Sequence, residues 1–196
     1  RAGYTLATGL MIGLGAAAGI VSLLVSLLPE AAVGPILIFI GLEITAQAFV
    51  ASSRRHAPAV AVCFIPAVAA LLLIQINALL ASIGKRAADL GGSEASTFHT
   101  VLVLGNGFVL TALLWGWALC AIIDRRPGIA AAILAVTGVA SLFGVIHSPL
   151  PSGAIFWPWA SGSLTPTRLA GAYGVSAALL LLCALWVRID RESTEA

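Results

Sequence analysis

One carboxylate lies well inside the apolar stretches of this chain: Glu43, in the run GPILIFIGLEITAQAF, with Gln47 one helical turn further on. A charged side chain at mid-bilayer costs about 2.5–3.5 kcal/mol on insertion scales, so a membrane span keeps one only where it faces protein or water. Gln47 shares the helical face of Glu43 at i+4, and Ala46 beside that face permits close approach of a neighbouring helix. Two readings follow. Glu43 and Gln47 form a polar element of a transport path or a proton-coupling site, or they are interhelical glue, with Glu43 protonated or bonded to Gln75, Asn77 or another polar group. Asn106 is the next position, in LGNGF, where Asn-Gly inside an apolar run signals a turn. It marks a broken helix that exposes backbone groups to a substrate, or a packed and slightly bent helix. His147 closes another apolar run at VIHSP, expected at the outer side, where it joins a coupling path or is simply interfacial.

Other chemistry finds little footing. There is no Ser/His/Asp set, no HExxH, no phosphate-binding loop and no second membrane acid to make a catalytic pair, so an enzyme is not expected. Cys63, Cys120 and Cys183 are widely spaced within apolar runs, without a CxxC pair or a histidine at ligand spacing, and read as small buried hydrophobes. No metal site and no cofactor is expected. The net charge of +2, with no dense basic run, excludes nucleic acid as a partner.

The elements that must position these residues follow from composition. With 60% hydrophobic and 9% charged residues and a mean hydropathy of +1.07, the chain falls far outside soluble domains, where about a quarter of residues are charged. It reads as an all-α integral membrane protein. Six charge-poor runs, Tyr4–Leu28, Ala31–Val50, Ala57–Ile83, Phe98–Ile123, Ile129–Ile146 and Leu169–Val187, approach or exceed the roughly 20 residues a spanning helix needs. No apolar/polar alternation marks barrel strands. Pro29 stops the first run, Glu30 suits the start of the second, and Pro66 predicts a kink in the third. Gly9 and Gly13, then Gly15 and Gly19, favour tight helix contact. No signal-peptide cleavage pattern follows the first run.

Arg1, Arg54, Arg55, Arg125, Arg126, Arg188 and Arg191 collect on one side of six alternating crossings, and Lys85, Arg86 and Arg168 on the other, seven against three. The positive-inside rule then places both termini in the cytoplasm, with the cell membrane as location. Gly84–Ser96 reads as an outside loop. The connection HSPLPSGAIFWPWASGSLTPT, rich in proline and tryptophan, is expected to lie along the outer surface or to dip back into protein.

Pro29 to Gly41, PEAAVGPILIFIG, followed by Arg54, Arg55 and the proline-bearing HAPAVAVCFIP, resembles the xanthine/uracil/ascorbate permease family of nucleobase:cation symporters, nearest to its hypoxanthine/guanine branch. The matching positions are Pro29, Ala31, Ala32, Pro35, Leu37, Ile38 and Gly41, then Pro58 and Pro66, within residues 4–83. The resemblance implies the gate-side, C-terminal part of a transporter built from two inverted repeats of seven helices. It implies a core domain preceding Arg1 in the same chain, a small-molecule substrate and H⁺ or Na⁺ as coupling ion. The family's substrate-holding acids lie before this region, so none transfers to a position here. Glu43 would fall on a gate helix.

The expectation is therefore a two-part chain: residues 1–126 as a four-helix segment similar to the end of a nucleobase permease, and residues 127–196 as two further spans with the tryptophan-rich outer loop. Its function would be purine or pyrimidine uptake by a secondary transporter in the lipid bilayer, with a homodimer allowed. The alternative is a stand-alone six-helix scaffold or assembly subunit without transport.

Overall fold

The computed structural model describes residues 2–20, 23, 30–160 and 162–195. The stop at Pro29 and the end of the first run near Leu28 lie outside the described residues. The side chain of Glu30 is likewise not described. Among the described residues the chain is helical, with no strand. It divides between Ala51 and Ser52 into two compact units.

The first unit contains α1 (Ala2–Ala17), which ends in a turn at Gly19, and α2 (Glu30–Ala51). Helix α2 carries Pro35 in its second turn, where it removes one i→i−4 hydrogen bond, and the helix runs on through it.

The second unit holds α3 (Ala57–Ser82), α4 (Gly92–Gly105), α5 (Phe108–Ile123), α6 (Pro127–Leu142) and α7 (Thr165–Glu195). Proline stands within the first two residues of α3 and of α6, where its fixed φ favours helix initiation. Pro66 is fully buried within α3, which runs on through it. Helix α3 packs on both α4 and α5, α5 on α6, and α6 on α7. No comparable packing joins α4 to α7.

Small residues make up much of the interior of this unit, beside Leu80, Phe98, Leu102, Ile133 and Ile146. Ala59, Ala69, Ala118, Ala121, Ala130 and Ala131 are buried, whereas Leu71, Ile74, Leu79, Leu182 and Trp186 are exposed. Water would expel such a surface; hydrocarbon accepts it, and small residues at the contacts let backbones approach closely. Gly116 shows how close: a Cβ there would sit 2.5 Å from Cys63 Sγ of α3.

Among the described residues, three helical stretches are long and apolar enough to cross a membrane: Val33–Ala51, Arg54–Ser82 and Thr165–Trp186. A fourth is obtained if α4 and α5, bent by 71° at their junction, count as one span. The two remaining apolar runs give shorter helices, Gly3–Ala17 and Pro127–Leu142. The fifth run thus stops being helical at Leu142, before its expected end at Ile146. At about 1.5 Å per residue, its 16 helical residues reach about 24 Å, short of the roughly 30 Å hydrocarbon core. The fold class is that of an α-helical membrane protein.

Residues 124–126, where the sequence suggested a boundary, form a tight turn inside the second unit, closed by Arg126 N–H donating to Ala121 O at 2.8 Å. Asp124 in that turn ties the end of α5 to the start of α3. Its Oδ1 lies 2.8 Å from both Arg55 Nη2 and His56 Nε2. The His56 hydrogen bond first, and then the Arg55 charge, hold the carboxyl below its ordinary value of 3.8. A lowered folded pKa contributes stability that is complete above the ordinary value and is lost as pH falls through the folded one. The melting temperature is therefore expected to drop on acidification below about pH 4. In Asp124→Asn the melting temperature should be lower near neutrality, and its drop smaller. Equal acid sensitivity of the two proteins would show that this ion pair carries no linkage.

Candidate functional site

The site is built around the junction of α4 and α5. Leu102 O accepts from Asn106 N–H at 2.9 Å, but Asn106 itself is extended (φ −70°, ψ 123°) and Gly107 is left-handed (φ 72°). Two non-helical residues in succession turn the chain by 71°. The Asn-Gly pair therefore breaks the helix, but the carbonyl of Asn106 is taken by the chain itself and not presented to a substrate.

The break is filled by the chain that follows α6. His147 N–H donates to Asn106 O at 3.0 Å. Asn106 Nδ2 donates to Ser148 O at 2.8 Å and to Leu150 O at 3.0 Å. Backbone groups freed by the turn and by the irregular segment thus satisfy one another, as irregular backbone within a membrane protein requires. Ile146, His147 and Ser148 are all buried. The connection after α6 does dip back into protein here. Its later part stays outside, with Trp157 and Trp159 stacked at 5.4 Å and well exposed.

His147 differs from its expected place. It is 2% exposed, not interfacial, because α6 ends five residues earlier and leaves the chain free to turn inward. Its backbone is left-handed (φ 57°), an uncommon conformation for a residue other than glycine. The imidazole ends a run of three hydrogen bonds. Trp115 Nε1 donates to Tyr173 Oη at 2.7 Å, Tyr173 Oη lies 2.8 Å from His147 Nε2, and His147 Nδ1 lies 3.2 Å from Val103 O. A carbonyl only accepts, so Nδ1 carries hydrogen. Burial with no carboxylate beside it disfavours the charged imidazolium, and in the neutral ring the bare Nε2 accepts from the tyrosine hydroxyl. The His147 and Tyr173 rings are nearly parallel, with centroids 5.9 Å apart.

A cleft of about 310 Å³ opens beside this chain, between α4 and α7. Trp115, His147 and Tyr173 line its floor. Val103, Leu104 and Leu169 form the walls above, and His99, Thr100 and Thr165 line the end nearest the starts of the two helices. No Asp, Glu, Lys or Arg is among them.

Of the residues singled out by sequence, Asn106 and His147 are brought together. Glu43 and Gln47 belong to the first unit, where Gln47 Nε2 donates to Glu43 Oε1 at 3.0 Å on an exposed face of α2. The acid thus has an amide partner one turn away. Trp115 and Tyr173 were not anticipated, since aromatic residues in apolar runs look the same whether they face lipid or protein. One signal was present: the chain has two tyrosines, and only Tyr173 lies deep in a late apolar run, where its hydroxyl needs a partner.

The geometry is that of an all-helical chain whose apolar helices fit a membrane protein, with an interrupted helix and a partly polar cleft, free of Asp, Glu, Lys and Arg, beside the interruption. Comparison with known families, curated proteins and solved structures finds nothing that matches the chain.

Proposed function

We propose that this chain forms the gate-side part of a secondary active transporter, a permease that moves purine or pyrimidine bases with H⁺ or Na⁺. The observation that carries the transport reading is the 71° interruption at Asn106–Gly107. Transporters place discontinuous helices where segments move against one another, and lipid-exposed irregular backbone does not occur in the hydrocarbon region. The nucleobase assignment rests on the likeness of Pro29 to Gly41 and of the stretch around Arg54, Arg55, Pro58 and Pro66 to nucleobase symporters.

In this reading the six apolar runs cross a cell membrane with both ends of the chain cytoplasmic, the two shorter helices being completed by their flanking turns. Base recognition belongs to a core domain outside these residues, and the unit from Ser52 onward rocks against it. Glu43 supplies the coupling group, its proton exchanging while Gln47 holds one carboxylate oxygen.

Uptake of radiolabelled hypoxanthine, guanine and uracil into cells expressing the natural protein tests the reading. Glu43→Gln is near-isosteric and uncharged. It is expected to leave the amount of folded protein in the membrane unchanged and to abolish accumulation against a gradient. Uptake no higher than in cells lacking the protein would sink the transport reading. It would leave a scaffold in which Glu43 and Gln47 serve helix contact.

A further inference from the structure

We propose that the cleft between α4 and α7 binds a small, uncharged, lipid-soluble alcohol drawn from the bilayer. The inference stands apart from the transport reading and requires only that the second unit is embedded in lipid.

Charge is the first constraint. With no Asp, Glu, Lys or Arg on any wall, a charged ligand would lose its hydration without a fixed counter-charge. Size is the second: about 310 Å³, filled at the density of a protein interior, holds about ten non-hydrogen atoms.

Hydrogen-bonding capacity decides the rest. On the floor, the Trp115 indole N–H is committed to Tyr173, and the Tyr173 hydroxyl hydrogen to His147. His147 Nδ1 is committed to Val103 O. What remains is the second lone pair of Tyr173 Oη, an acceptor. A polar end that reaches the floor must therefore donate, and an uncharged donor suited to lipid is a hydroxyl; His99, Thr100 and Thr165 lie at the opposite end of the cleft. Val103, Leu104 and Leu169 then meet its apolar body. Thr165, Leu169 and Tyr173 lie on successive turns of α7, so the wall from end to floor is about 12 Å, long enough for an eight-carbon chain.

The route in is the missing packing. Helices α4 and α7 leave between them a gap that reaches Trp115 and His147.

Octanol carrying a diazirine, photolysed in vesicles containing the protein, tests the site by mapping labelled peptides with mass spectrometry. Label is expected on the peptides bearing Val103, Leu104 and Leu169, in a saturable manner. Unlabelled 1-octanol should compete about tenfold better than heptyl methyl ether, which has the same number of atoms but no donor. Leu169→Trp and Leu104→Trp, which fill the cleft without touching the hydrogen-bond chain, should each reduce labelling about tenfold. Label spread evenly over exposed Leu71, Leu79 and Leu182 would overturn the proposal. So would equal competition by the alcohol and the ether on the unaltered protein, a result that holds even if neither variant folds.

Discussion

Gly107→Val is expected to destabilise the second unit by about 3–5 kcal/mol, the largest effect of any single change considered for it. Two costs combine. Gly107 has φ 72°, a conformation that costs an L-residue about 1–2 kcal/mol, more when the side chain branches at Cβ. An added Cβ would also lie 2.5 Å from Val145 O and 2.8 Å from Ile146 Cα, both backbone atoms that no rotamer change can remove. Relief requires lifting residues 145–147 from the break. That movement breaks the His147-to-Asn106 bond and strains both bonds from Asn106 Nδ2, each worth about 1 kcal/mol. Gly128→Ala is the control. Nothing lies within 4 Å of a Cβ there, and the residue sits in the first turn of α6 with an ordinary backbone, so the change should be neutral or slightly stabilising. Thermal unfolding in detergent, followed by the loss of helical signal, separates the two. A Gly107→Val protein melting with the wild type would mean that the segment after α6 does not occupy the break.

That pairing also explains where sequence reading stopped. Apolar runs declare helices because nothing else satisfies backbone groups in lipid, so α2 and α3 begin and end within a residue or so of their runs. Asn106–Gly107 gave a local turn signal that two structures could satisfy. What decides between them is His147 and Ser148, about 40 residues further along, and no local pattern announces such a contact. His147 was visible as a polar residue at the end of an apolar run. Its burial depended on α6 ending at Leu142, a boundary that hydropathy does not mark, because Phe143, Val145 and Ile146 remain apolar outside the helix. Trp115 and Trp117 illustrate the same limit. Two positions apart and identical in type, one donates a hydrogen bond within the protein while the other is 62% exposed.

Within the buried chain, position should matter more than residue type. Tyr173→Phe is expected to cost about 2–5 kcal/mol, whereas Trp115→Phe should cost about 1–2. The reason is what each substitution leaves behind. Phenylalanine at 173 keeps the ring beside His147 but strands two groups: the Trp115 indole N–H, with no other acceptor among the described residues, and His147 Nε2, with no other donor. A buried polar group left without its partner costs about 1–3 kcal/mol, and here there are two. Phenylalanine at 115 removes a terminal donor, and Tyr173 still gives its hydrogen to His147, so the loss is one bond and a little volume. The double variant Trp115→Phe/Tyr173→Phe strands only His147 Nε2 and should recover about 1 kcal/mol relative to the sum of the two single changes. Thermal melts of the four proteins supply the cycle. Additive losses would show that the three side chains are neighbours without being coupled.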